Sequence, residues 1–359
     1  MSLTFEHTTL GQRVLFGSGR AAEHVSAEAG RLGASKIMVI ASDFELPMAR
    51  EVASNIDVAL WHTEVVMHVP LEIAEQARAA AAQAGIDLIV CVGGGSTTGL
   101  AKAVAMTTGI QIVAVPTTYA GSEATNVWGL TEAARKTTGV DDRVLPTTVV
   151  YDAALTVSLP MDMSVASGLN GMAHCVDSLW GPRADPINAA LAAEGIRALS
   201  QGLPTITANP EGLDGREQAL YGAYLSAVSF ASAGSGMHHK ICHVLGGTFN
   251  LPHAQTHATV LPYVLAFNAP HAPEAEARMA ASFGSTTALE GLQALRHELD
   301  APKALKDYGF TTDQIAQAVE IALPSIPDSN PRRVTTENLT ALLTAALNGD
   351  DPHILTEIS

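Results

Sequence analysis

Three short apolar, β-branched runs mark the first 150 residues: KIMVIA at Lys36–Ala41, DLIVCV at Asp87–Val92 and QIVAVP at Gln111–Pro116. None alternates apolar with polar residues, so each predicts a strand covered on both faces, as in a parallel sheet. Between the first two, Leu71–Gly85 is Ala-rich, follows Pro70 as a first-turn residue and stops at a glycine, which predicts a helix. Strands alternating with helices predict βαβ units and an open, doubly wound, Rossmann-like sheet. From about Leu155 the character changes. Asp162–Leu179, Ile187–Leu199 and Gly215–Ala233 are rich in Ala and Leu, with Pro and Gly between them, and no further β-branched runs appear. These features predict an α/β parallel-sheet domain over residues 1–155, followed by an all-α C-terminal domain over 156–359. The boundary falls near Tyr151–Pro160.

Charge narrows the functional classes. With 20 Lys plus Arg against 36 Asp plus Glu, the formal net charge of the 359-residue chain is −16. That excess repels phosphate backbones and anionic lipid, which argues against nucleic acid or a membrane surface as a partner. A chain 47% hydrophobic and 16% charged has the apolar content for a large core, not for disorder. No apolar run approaches a membrane span, and MSLTFEHTTLGQRVLF lacks a signal-peptide layout, so a soluble, cytoplasmic globular protein is expected. Cys91, Cys175 and Cys242 are odd in number and widely spaced, which speaks against a disulfide framework. Cys91 reads as a small apolar strand residue. Cys175 follows His174 and should point elsewhere on a helix. Cys242 is either a packed sulfur or a thiol activated by its histidine and lysine neighbours.

Three motifs carry chemistry. Gly93-Gly94-Gly95-Ser96 lies between the strand DLIVCV and a helix beginning near Thr97. Glycines allow close backbone approach to a pyrophosphate, and a helix N-terminus offers it unpaired N–H groups. The spacing to Gly99 departs from the strict G-x-G-x-x-G pattern, so the motif alone signals a nucleotide or phosphate and no more. Pro116-Thr-Thr-Tyr-Ala-Gly-Ser-Glu123 lies at the carboxyl end of QIVAVP, where open α/β sheets bind ligands.

The third motif is a histidine group. His239 and His243 are four apart and share a helix face; Asn170 and His174 have the same spacing, and His253 follows a turn at Asn250–Pro252. Two such pairs and a further His suit a metal cage or an acid–base site.

In this order the motifs resemble the iron-containing alcohol dehydrogenase family, specifically its maleylacetate reductase branch. The matching pieces are GGGSTTGLAK at Gly93–Lys102, PTTYAGSEAT at Pro116–Thr125, SGLNGMAHCVD at Ser167–Asp177 and HHKICHVLGGTFNLPHAQTHA at His238–Ala258. The resemblance implies that Gly93, Gly94, Gly95 and Ser96 cradle the cofactor pyrophosphate. Thr117 and Thr118 would lie beside the nicotinamide ribose, with Ser122 of the same segment also binding cofactor. The family's metal ligands, an Asp and three His, fall on Asn170, His174, His239 and His253, with His243 as a further active-site His.

Asn170 departs from that ligand set, because a neutral amide is a poor ligand for a divalent cation. Together with Lys136-Thr-Thr-Gly139 and Leu145-Pro146, it points to the maleylacetate reductases and so to no required metal. Ser42 stands where the family has an acidic residue that contacts the adenosine ribose, and Asp43 is one position on, so NADH and NADPH both remain open. The activity implied is NAD(P)H-dependent reduction of the maleylacetate C=C bond to 3-oxoadipate during degradation of aromatic compounds. His243 and His253 are the leading candidates for oxyanion donor and proton source. His174 and His239 would complete a cationic pocket for the dianionic substrate, with Lys240 as a further cation and Arg332 and Arg333 as weaker ones. A homodimer is the family expectation. The rival readings are a metal-dependent alcohol dehydrogenase, a lyase such as a dehydroquinate synthase on the same fold, and a non-catalytic nucleotide-binding module.

Overall fold

The structure is a computed structural model that describes residues 4–132 and 135–357. Six strands form one all-parallel sheet: β1 (Arg13–Phe16), β2 (Ile37–Ile40), β3 (Val58–His62), β4 (Leu88–Gly93), β5 (Gln111–Pro116) and β8 (Thr148–Tyr151), in the order β1-β8-β5-β4-β2-β3. The helices α1 (Ala21–Arg31), α2 (Leu46–Val52), α3 (Leu71–Ala84) and α4 (Gly95–Thr108) connect them.

Burial explains why the strands lack alternation. Ile37, Val39, Leu88, Val90, Val92, Val113 and Val115 pack with Val25, Ala29, Ala49 and Val52 of α1 and α2. The intervening residues Met38, Ile40, Ile89, Cys91, Ile112 and Ala114 pack with Ala77, Ala81, Leu100 and Val104 of α3 and α4. Each strand thus feeds two apolar layers, as a doubly wound sheet requires. Gly85 ends α3 in the left-handed conformation, at φ 64°, a backbone shape that glycine adopts without Cβ strain. The chain leaves β2 for β3 toward one edge and returns at β4 to build toward the other. The reversal puts the switch point, where such sheets bind ligands, at the carboxyl ends of β2 and β4.

One element has no counterpart in the sequence expectations. β6 (Val127–Glu132) and β7 (Arg135–Val140) form an antiparallel pair outside the main sheet.

The remaining helices are α5 (Met161–Ser178), α6 (Pro186–Ala208), α7 (Leu213–Ala233), α8 (Met237–Phe249), α9 (His253–Asn268), α10 (Pro273–Phe283), α11 (Ala288–Glu298), α12 (Ile315–Ala322) and α13 (Thr336–Asn348). No strand follows β8 among the described residues. The α/β-then-all-α architecture is therefore the one the sequence predicts. Two compact units emerge, residues Leu10–Leu159 with Glu211–Leu220, and Met1–Thr9 with Pro160–Pro210 and Tyr221–Ser359. A single cut after residue 155 does not describe this division. The start of α7 is tied into the sheet unit: the fully buried Arg216 donates to Tyr119 Oη at 3.1 Å and to the Thr156 carbonyl, and Ser18 donates to Glu217 at 2.6 Å. No described helix is long and apolar enough to cross a membrane.

Candidate active site

Two constellations carry chemistry, one in each unit. In the sheet unit, β4 ends at Gly93 with φ 154° and α4 begins at Gly95. Gly94, the N-cap residue, provides no side chain, so the helix N-terminus is left to other partners. A Cβ at Gly94 would approach Thr118 Cγ2 at 3.0 Å, whereas one at Gly95 would meet nothing within 4 Å. Gly95 is exposed and Ser96 half-buried, so open space faces the helix start. These are the conditions for a pyrophosphate cradle, and the residues fit a dinucleotide.

Behind the cradle, Lys102 is fully buried and donates to the carbonyls of Ser122, Thr125 and Val127 at 2.6, 2.8 and 2.8 Å. It fixes the segment after β5 that carries Thr117, Thr118 and Ser122. Burial pushes its ammonium down to about 7, against the opposing pull of Glu123. Ser42 is half-buried, and its hydroxyl donates to Glu45 Oε2 at 2.7 Å.

The helical unit gathers the histidines. The His174 and His239 rings stack at 4.8 Å, and Phe230 covers both at 4.7 and 4.2 Å. His243 lies 6.1 Å from His239. His257 packs on His239 at 4.9 Å and on His253 at 4.3 Å. Sequence spacing from α5, α8 and α9 thus converges on one cluster. Asn170 lies one turn before His174 and is 1% exposed, with its amide oxygen lacking a partner. His174 Nδ1 and His239 Nε2 are buried and unpartnered as well. His243 and His253 are half-buried.

Asp177 organises this cluster. Its carboxylate accepts from the backbone N–H groups of Gly236, His238 and His239, capping α8, and from His239 Nδ1 at 2.7 Å. With Nδ1–H committed to Asp177, a neutral His239 presents its Nε2 lone pair. Burial pushes the Asp177 carboxyl up to about 6, against the backbone N–H donors that favour its ionised form. Burial also pushes His174 down to about 4 and His239 well below its ordinary value.

The expectation of a cationic pocket at His174 and His239 is therefore corrected. Burial opposes protonation of both imidazoles, and the acidic group beside His239 is the carboxyl of Asp177. Lys240, half-buried and next to His239, is left as the cation close in sequence. Arg332 is committed elsewhere: it lies over Phe267 at 4.6 Å and donates to the Leu355 carbonyl at 2.9 Å. Arg333 is exposed.

The donor set at Asn170, His174, His239 and His253 suits a divalent cation in type but not in charge, and the one converging group of ligand atoms among the described residues is His238, Cys242 and His257. The oxygen of Asn170 and the nitrogens of His174 and His239 are unpartnered atoms of ligand type, and a carboxylate behind a histidine, as Asp177 is to His239, is a usual metal-site support. No ligand at the four family positions is anionic, which weakens the set for iron or zinc.

Several participants escaped the sequence reading. His257 sits four residues after His253 on α9, a spacing that could have revealed it. Its Nδ1 lies 3.0 Å from His238 Nε2, and Cys242 Sγ lies 3.6 Å from that same nitrogen. The ligand atoms of His238, Cys242 and His257 fall within 4.8 Å of one another, all buried. Burial raises the Cys242 thiol well above its ordinary range, with Asp177 adding to the effect, so an activated thiolate is not supported. Cys91 is pushed up to about 12 by burial, as suits an apolar strand residue, and Cys175 is equally buried.

Residues 11–153 match the family model "Iron-containing alcohol dehydrogenase", and residues 164–347 match "Fe-containing alcohol dehydrogenase family, C-terminal". A maleylacetate reductase from Delftia acidovorans is 42% identical over 352 residues, covering 98% of this chain and 99% of that protein. The solved structure of an iron-containing alcohol dehydrogenase from Corynebacterium glutamicum is 69% identical with a TM-score of 0.97, covering 99% of this chain and 100% of that one. The structure of maleylacetate reductase from Agrobacterium tumefaciens is 38% identical with a TM-score of 0.91, covering 97% and 99%. The chain belongs to the iron-containing alcohol dehydrogenase family and is an oxidoreductase.

Proposed function

We propose that the protein reduces the C=C bond of maleylacetate to 3-oxoadipate with NADH or NADPH, as a step in the degradation of aromatic compounds. The observation that carries this reading is Asn170, a neutral residue at the family's carboxylate position, in a chain matched along 98% of its length by a protein named maleylacetate reductase. The unit of Leu10–Leu159 with Glu211–Leu220 would supply the cofactor site and the helical unit the acid–base site. The family pattern supports a homodimer, and three free, buried cysteines suit the reducing cytoplasm.

Maleylacetate is a dianion whose alkene is conjugated to a ketone. A nicotinamide cofactor held at Gly93–Ser96, Thr117 and Thr118 would supply hydride to the alkene carbon β to the ketone. The alkene electron pair moves toward the ketone, charge develops on its oxygen, and a proton completes the α carbon. That oxygen needs a hydrogen-bond donor and the carbanion needs an acid. We assign these roles to the half-buried His243 and His253. His239, held by Asp177 with its lone pair forward, positions rather than protonates, and the neutral His174 lies against it. Lys240 is the cation we assign to the substrate's carboxylates. A divalent cation on His174, His239 and His253 would polarise the ketone oxygen; the neutral Asn170 supports a reaction that does not require one.

A metal-dependent alcohol dehydrogenase is the second reading, favoured by the name of the Corynebacterium relative. The test separates them. Purified protein should oxidise NADH or NADPH with maleylacetate and leave aliphatic aldehydes unreduced, and it should not oxidise aliphatic alcohols. Turnover of an aliphatic alcohol at an equal or greater rate would overturn the proposal.

A further inference from the structure

The carboxylate of Glu45 lies at the switch point of the sheet, among the groups that would receive a cofactor diphosphate. Its Oε1 accepts from Gly94 N at 3.2 Å and from the Thr117 hydroxyl at 3.1 Å. Its Oε2 accepts from the Ser42 hydroxyl at 2.7 Å, Ser42 N at 3.4 Å and the Thr97 hydroxyl at 3.3 Å. These donors come from the ends of β2, β4 and β5 and from the first turn of α4. Both carboxylate oxygens press on Gly93, where a Cβ would lie 2.7 and 2.8 Å from them. Glu45 has no ion-pair partner among the described residues. A carboxylate without a cation, held by N–H and O–H donors at a helix N-terminus, occupies the place an anionic ligand prefers.

Helix capping alone does not require this placement. The local bonds between Ser42 and Glu45 already secure the start of α2. The reach to Gly94, Thr97 and Thr117 crosses to other strands.

We propose that Glu45 is a built-in competitor for the cofactor's diphosphate, setting how tightly NADH is held and how fast NAD⁺ leaves. The inference rests on the cofactor reading given above. Two anionic groups cannot share the same donors at contact distance, so the cradle receives a diphosphate only when Glu45 swings away. The measured affinity is then the intrinsic affinity reduced by the fraction of molecules with Glu45 withdrawn.

The test uses the full-length protein with two probes, NADH and ADP, the latter carrying the diphosphate without the nicotinamide. Glu45→Gln keeps the side-chain length and the bond to Ser42 but removes the charge that strengthens the other contacts. It should bind both probes about fivefold or more tightly, with slower NADH dissociation. If Glu45→Gln does not fold, Glu45→Ala should show the same direction. Gly95→Val is the reference: its side chain fills the open space before α4 and should weaken ADP at least about tenfold. Unchanged or weaker binding in the Glu45 variants, with ADP lost in Gly95→Val, would overturn the competitor role and leave the cradle standing. Weaker NADH with unchanged ADP would make Glu45 a ligand for another part of the cofactor and also overturn the proposal. If Gly95→Val binds ADP normally, the cradle itself is misplaced and the inference falls with it.

Discussion

His253→Ala or His243→Ala should lower kcat about 10²-fold or more while leaving NADH affinity nearly unchanged. Two observations set this expectation. Burial opposes protonation of His174 and His239, and His239 Nδ1 is engaged with Asp177, so both are poorly placed to deliver a proton. His243 and His253 lie in the same cluster but are half-buried, within reach of an exchanging ligand. Removing a group that acts only as charge develops should reduce kcat rather than binding. Cofactor affinity, which we assign to the glycine turn at Gly93–Ser96, reports whether the variant is otherwise intact. A His253→Ala enzyme with near-normal kcat would show that His253 merely packs against His257.

The second large effect concerns metal. Activity should survive exhaustive chelation, in protein isolated with well below one metal per subunit. Asn170 sets this expectation, because its neutral oxygen is buried and unpartnered one turn from His174. An anionic oxygen contributes far more to a divalent cation than an amide does. Even outer-shell changes in metal sites cost roughly 10–100-fold in affinity, and loss of a charged ligand should cost at least as much. Asn170→Asp should therefore gain affinity for zinc or iron by about 10²-fold, measured by competition with a chelator. Near-stoichiometric metal in the parent protein, with activity lost on chelation and restored on its return, would contradict metal independence. An Asp variant that binds metal no better would show that residue 170 is not at a ligand position.

How far the sequence carries can be read from individual residues. β2, β4 and β5 are legible because both faces are buried, so every position is apolar and the run stands out. Gly85 and Pro70 mark the ends of α3 because cap chemistry is local. The β6–β7 pair is not legible from a periodic core face: Gly139 is needed because a Cβ there would collide with Trp128 at 2.6 Å, a cross-strand fact. The histidines of α5, α8 and α9 announce themselves by helical spacing, but their protonation does not, since it depends on burial beneath Phe230. Asp177 reads as an ordinary helix residue until α8, some 60 residues later, brings it three backbone N–H donors. Glu45 is illegible for the same reason. Three residues after Ser42 it looks like a local cap, while the partners that distinguish it are 49, 52 and 72 residues away.

The central claim is hydride transfer from reduced nicotinamide to the alkene carbon β to the ketone. Turnover of maleylacetate with NADH stereospecifically deuterated at C4, on the face that is transferred, tests it directly when the product is examined by NMR. The account predicts 3-oxoadipate carrying one deuterium on the methylene next to the distal carboxylate, with the adjacent methylene taking its new hydrogen from solvent. Deuterium on a carbinol carbon, showing reduction of the ketone instead of the alkene, or recovery of maleylacetate with the deuterated cofactor unconsumed, would contradict it.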